Sequence, residues 1–147
     1  MSLKQRLLDD LKAAMKEKDE LKKDVIQLVR AAILQVEKDK KTTLDDDGII
    51  EVLAKEVKKR NDSLPEFEKS GRQDLIDKLN AEIQLLMQYL PKQLSESELR
   101  EIVKESIAET SASSVKDMGK VMQSVMPKVK GRADGKLVNA IVKEMLS

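Results

Sequence analysis

Apolar residues recur at intervals of three and four along most of the chain, and this rhythm restricts its possible folds more than any other feature. Leu3, Leu7, Leu8, Leu11, Ala14 and Met15 share one stripe of a 3.6-residue repeat, with lysines and acids opposite. After a turn expected near Asp19, Val25, Leu28, Val29, Ala32, Ile33 and Val36 form the inward face of a second helix. A third opens with Ile49, Ile50, Val52, Leu53 and Val57 and is expected to run toward Leu64, where Pro65 kinks or ends it. Beyond the break Ser70-Gly71-Arg72, a fourth directs Leu75, Ile76, Leu79, Ile83, Leu86, Met87 and Leu90 inward and stops at Pro91.

A new start signal follows at once. Ser95 is the cap, Glu98 stands three residues on, and Leu94 is set to staple against Leu99. The fifth helix carries Leu99, Ile102, Val103, Ser106 and Ile107. A serine connector ends in a second capping pattern, Ser114 with Asp117, before a sixth helix from Val115 to about Met126 that Pro127 closes. The last begins near Asp134 and buries Leu137, Val138, Ile141, Met145 and Leu146. With aromatics at 1% and charged residues at 37%, sheets lack their usual material, while 40% hydrophobic content at helical spacing argues against disorder. The expected fold is all-α. An N-terminal subdomain resembling a four-helix bundle takes residues 1–92, and a small C-terminal three-helix bundle takes residues 93–147.

Several functions are excluded by what is missing. Without cysteine or histidine there is no disulfide, no thiolate nucleophile, no thiolate- or imidazole-held zinc and no imidazole base. No glycine motif for nucleotides can be aligned, so no cofactor is expected. The opening Met1-Ser-Leu-Lys-Gln-Arg6 leads into charged helix without an apolar run, which predicts a cytoplasmic protein with no membrane partner. Asp45-Asp46-Asp47 suits a positive helix start, with Thr43 and Asp46 as a capping pair, better than a metal site. Lys55, Lys58, Lys59 and Arg60, with Glu51 and Glu56 at helical spacing, read as a solvated face.

Charge is unevenly spread. From Val115 onward the chain carries a formal +4, and the remainder −3. A basic tail on a mildly acidic body points to an anionic partner. Met118, Met122 and Met126 form one stripe, read as core, with a protein-binding groove as the alternative. Gly119 lies inside the sixth helix, for close packing or for backbone approach to a phosphate or ribose. If Lys128-Val129-Lys130 is extended, its two lysines point the same way, and Gly131 turns Arg132 beside them. Gly135 and Lys136 then open a helix whose N–H groups suit an anion, although Asp134 competes for that place. Phe67 and Tyr89, the sole aromatics, lie outside the tail, so a nucleic acid would be held by its backbone and shape rather than by base stacking.

The tail motif Met118-Gly-Lys-Val-Met122, with Met126-Pro-Lys-Val-Lys-Gly-Arg-Ala-Asp-Gly-Lys136 and Val138-Asn139, closely resembles the GatB/YqeY family. Tyr89-Leu-Pro91 and Leu94-Ser-Glu-Ser-Glu-Leu99 extend the likeness across essentially the whole chain. The C-terminal third is similar to the tail domain of GatB, the B subunit of the tRNA-dependent amidotransferase. The resemblance implies a helical module that holds tRNA, or joins a tRNA-charging or amidotransferase complex, through phosphate contacts from Lys120, Lys128, Lys130, Arg132 and Lys136. Asn139 would add a polar contact, and Gly119, Gly131 and Gly135 would shape the backbone. The family label extends to carbon–nitrogen ligase activity with glutamine as amide donor. Nothing here resembles the GatB catalytic body, so no catalytic residue is expected and the chain alone is expected to show no turnover. A protein–protein adaptor is the competing reading. The sequence leaves the oligomeric state open.

Overall fold

All seven helices begin just after a serine, aspartate or arginine, and five of these starts receive a side-chain cap bond. In the computed structural model, which describes residues 1–147, the helices are α1 (Leu3–Glu17), α2 (Glu20–Lys40), α3 (Asp46–Ser70), α4 (Gln73–Met87), α5 (Glu96–Thr110), α6 (Met118–Val129) and α7 (Gly135–Leu146). A 3-10 turn, Val115–Asp117, precedes α6. Ser2 caps α1 from the Gln5 N–H, Asp19 caps α2 from Lys22, Asp45 caps α3 from Gly48, and Asp134 caps α7 from Lys136. At α5 the expected capping box is complete: Ser95 accepts from the Glu98 N–H, and the Glu98 carboxylate accepts from that of Ser95. No helix is long and apolar enough to cross a membrane.

The chain divides into two compact units, Met1–Leu90 and Pro91–Ser147. In the first, α1 and α2 form one antiparallel hairpin and α3 and α4 another, with α2 packed on both members of the second. Leu7, Leu11, Val25, Ile26, Val29, Ile33, Ile49, Val52, Leu53, Leu86 and Tyr89 form its core. Tyr89 closes one end: its hydroxyl donates to Asp10, and the Arg6 guanidinium lies 4.6 Å from its ring centre. Burial and the Asp10 carboxylate both push the Tyr89 phenol well above its ordinary range, so it stays protonated. In the second unit, α5, α6 and α7 enclose Leu99, Val103, Val121, Val125, Val129, Val138, Ile141, Val142 and Leu146. Both cores are almost wholly aliphatic.

Several expectations are corrected. Pro65 does not end α3, and Pro127 does not end α6; both helices continue through them. A proline removes one N–H from the ladder and leaves the carbonyl four residues earlier unbonded. Those carbonyls belong to Asn61 and Gln123, which are exposed, as are both prolines, so water can satisfy what the helix loses. The cap of α3 is Asp45 rather than Thr43, and Asp46 instead accepts from the Leu3 N–H at 2.9 Å. Met15, Leu28 and Leu137 are 56%, 47% and 44% exposed rather than inward. In α4 only Leu86 is fully buried.

The basic stretch on α3 is not a uniformly solvated face either. Arg60 and Glu56 are buried, and the Arg60 guanidinium donates to Glu56 at 3.1 Å on its own helix and to Glu82 at 3.0 Å on α4. Lys59 donates to the other Glu56 oxygen at 3.1 Å. One guanidinium thus satisfies two carboxylates between the helices of the second hairpin. Arg60→Ala would leave Glu56 and Glu82 without that counter-charge, so urea denaturation should show a loss of about 3–5 kcal/mol. A loss within error of zero would show that the network contributes nothing net.

Candidate nucleic-acid interface

The tail is shaped by the apolar face of α6. Val121, Val125 and Val129 recur every four residues and are all buried. They, rather than the methionines, form the core stripe. Met118 and Met122 are half-buried against it, while Met126 is 41% exposed. Because Val129 is still helical, Lys128-Val129-Lys130 is not the extended strip assumed from the sequence. Lys128 is instead the penultimate residue of α6. Its ammonium donates to the buried Ser106 hydroxyl at 3.0 Å and to Glu109 at 2.9 Å, both on α5. That bond holds the Glu109 carboxyl below its ordinary range. A depressed carboxyl adds stability above its unfolded pKa, and that contribution fades as pH falls through the folded value. Lys128 is therefore first a brace between helices.

Past Val129 the chain turns on Gly131, whose φ of 71° is costly for a residue with a Cβ. The Arg132 N–H donates back to the Val129 carbonyl at 2.8 Å. Three bonds then tie this loop to the segment before α5. The Leu94 N–H donates to the Arg132 carbonyl at 2.8 Å, the Gln93 amide to the Gly131 carbonyl at 2.8 Å, and Arg132 Nε to the Lys92 carbonyl at 3.2 Å. The loop carrying Lys130 and Arg132 is thus pinned, and exposed Lys92 joins it. Sequence reasoning missed Lys92, because only tertiary pairing brings it there. Glu98 opposes these cations: bonds from the Ser95 backbone and side chain hold its carboxyl low, with Lys92 and Arg132 adding to the effect.

At the start of α7, the Asp134 carboxylate takes the Lys136 N–H at 3.0 Å, so the anion place at this helix terminus is already filled by the protein's own acid. Lys136 and Asn139 are exposed on α7. Lys143 lies seven residues beyond Lys136 on the same face, a second cation overlooked in the linear reading. A Cβ at Gly119 or Gly135 would meet nothing within 4 Å, so close packing does not explain either glycine. Gly119 is the second residue of α6, where Asp117 makes no side-chain cap bond, and exposed Lys120 follows it. α6 separates this terminus from the Gly131 loop by twelve residues, or about 18 Å. The cations expected as one patch form two groups, Lys120 at one end of α6 and Lys92, Lys130, Arg132 and Lys136 toward the other.

The brace at Lys128 has a measurable consequence. Lys128→Ala leaves the buried Ser106 hydroxyl without its donor, so chemical denaturation should report a loss of about 1 kcal/mol. An unaltered midpoint would show that the contact is incidental.

The family model described as Yqey-like protein matches residues 4–146. Three relatives share the name Altered inheritance of mitochondria protein 41, mitochondrial. The protein of Pyrenophora tritici-repentis is 31% identical over 105 residues, covering 69% of this chain and 58% of that one. The protein of Kluyveromyces lactis is 42% identical over 84 residues, covering 56% and 45%. The protein of Candida glabrata is 38% identical over 98 residues, covering 65% and 53%. The chain therefore spans about half the length of these curated relatives.

Proposed function

The chain belongs to the Yqey-like family, and on that premise we propose that its C-terminal unit is a non-catalytic module that grips the backbone of tRNA. The observation that carries this reading is the distribution of charge around one small core. Five of the unit's eight acids lie on α5, at Glu96, Glu98, Glu101, Glu105 and Glu109. From Val115 onward, the stretch through α6, the loop and α7 holds Lys116, Lys120, Lys128, Lys130, Arg132, Lys136 and Lys143 against only Asp117, Asp134 and Glu144. A basic side backed by an acidic helix orients a polyanion toward one surface. The two cation groups suit phosphates spread along a folded RNA rather than one small anion. The tail's likeness to the GatB tail domain supports tRNA, free or within a charging or amidotransferase complex. We place this action in an aqueous compartment that contains tRNA, the cytoplasm first; the relatives' names carry the word mitochondrial.

The roles within the set are unequal. Lys130, Arg132, Lys136 and Lys120 are the phosphate contacts, Lys128 is chiefly the brace, Asn139 contributes a polar contact, and the Gly119 backbone offers close approach. A second reading, a protein adaptor, is favoured by the 41% exposure of Met126 beside half-buried Met122.

A gel-shift titration with unfractionated tRNA separates the two. Replacing Lys130, Arg132 and Lys136 together with glutamate should abolish the shift, and neutral glutamine at the same positions should lower the slope of log affinity against log salt by about 2–3. Equal affinity and equal slope in wild type and variants would remove the RNA reading. A shift lost instead in Met126→Gln, with the cations intact, would favour an apolar contact.

A further inference from the structure

Leu28, one of the apolar residues that the helical repeat misplaces, belongs to a second face of α2. That face consists of Asp24, Gln27, Leu28, Ala31, Leu34, Gln35 and Lys38, all exposed, with Leu28 at 47% and Leu34 at 53%. At 100° per residue, every one of them lies within about 60° of Ala31. The face is opposite in character to an ordinary solvated helix surface, because its centre is small and apolar while its charges stand at its two ends. The cleft of about 500 Å³ between α1 and α2, lined in part by Leu7, Leu11, Ala31 and Leu34, borders one side and leaves it uncovered.

We propose that this face pairs with the same face of a second copy of the chain, α2 against α2, antiparallel about a twofold axis at Ala31. The pattern itself supplies the argument. An antiparallel twofold sets each residue level with the one equally far beyond Ala31 on the second copy. Asp24 then comes level with Lys38 of the second copy, and Lys38 with its Asp24, giving two opposite-charge pairs by one symmetry operation. Gln27 comes level with Gln35; the Gln35 amide nitrogen already donates to Asp39 at 2.9 Å, so its oxygen remains as the acceptor facing Gln27. Leu28 comes level with Leu34 of the second copy at both ends of the alanine contact. The alanine at the axis allows the helices to approach at the short end of the usual 8–10 Å interaxial range. A parallel arrangement would instead put Asp24 beside Asp24 and Lys38 beside Lys38, so charge selects the antiparallel one.

The patch is one helix face about 21 Å long from Asp24 to Lys38, smaller than the roughly 800 Å² per partner of a stable complex. The association is accordingly weak and concentration-dependent. It uses a face of the N-terminal unit and does not depend on the RNA reading.

The absence of cysteine makes the geometry directly testable. With helix axes about 8–10 Å apart and Cα atoms on a radius of about 2.3 Å, the two Ala31 Cα atoms stand about 3.4–5.4 Å apart, overlapping the range a disulfide spans. Ala31→Cys should therefore form a disulfide-linked dimer under mild oxidation, while Gln27→Cys, off the axis, should remain mostly monomeric. Sedimentation equilibrium of the unmodified full chain, from low micromolar to submillimolar, should show reversible dimerisation. Asp24→Lys should raise the dimer dissociation constant about tenfold, as should Lys38→Asp, and the double reversal D24K/K38D should restore it. These positions are exposed, and thermal melts of each variant check that the fold is retained. A protein that stays monomeric throughout overturns the proposal, as does oxidation that links Gln27→Cys as readily as Ala31→Cys. Failure of the double reversal to rescue overturns the antiparallel register.

Discussion

The C-terminal unit depends on α6 remaining helical through Pro127 until Val129 is buried. A proline inside a helix costs about 3 kcal/mol relative to alanine. Burying Val129 returns about 1.5–2 kcal/mol, and the Lys128 bond to the buried Ser106 hydroxyl about 1 more. The opposing quantities are comparable. Gln123 itself is exposed, so water can meet the remaining loss. This near balance decides which way Lys128 faces. One more helical turn commits its ammonium to α5 and moves the start of the basic loop to Lys130.

The same economy of short aliphatic contacts runs through both units. With one phenylalanine and one tyrosine in the chain, the two cores share a single buried aromatic, Tyr89 in the first. Valine and leucine stripes on facing helices do that work, and polar contacts set the register. The Tyr89 hydroxyl reaching Asp10 from the turn after α4, Arg60 between Glu56 and Glu82, and Lys128 between Ser106 and Glu109 each join separate segments through a partly or fully buried polar group. Such groups are directional where aliphatic packing is not, which suits bundles whose apolar faces resemble one another.

Much of the fold was legible because helix periodicity and capping are local. Ser95 with Glu98 marks the α5 start without reference to anything distant, and the Gly71 break lies between two helices as expected, in left-handed geometry. The candidate site was legible as composition but not as arrangement. Lys92 joins Arg132 through backbone bonds across forty residues, and Lys120 is held away from the loop by the length of α6. Neither relation has a signature in spacing. Pro127 misled the linear reading of α6, and Pro65 does not end α3, since the local cost of a proline is visible in the sequence while the solvent access that relieves it is not.

By itself, the sequence determined an all-helical chain, its seven helices, the caps at Ser95 and Asp134, the basic tail and the family to which it belongs. Each follows from neighbours within about one or two turns, where sterics, capping and periodicity act. Tertiary structure decided which residues at the margins of those apolar stripes were core. It buried Val121, Val125 and Val129 in place of the methionines, left Leu28 and Leu34 on an open face, and drew Arg60 out of a basic surface into a buried network. It also assigned Lys128 to bracing and left Lys120 exposed at the far end of α6. The reason is physical: a helix can present two apolar faces, and only the packing of other helices determines which of them loses its water.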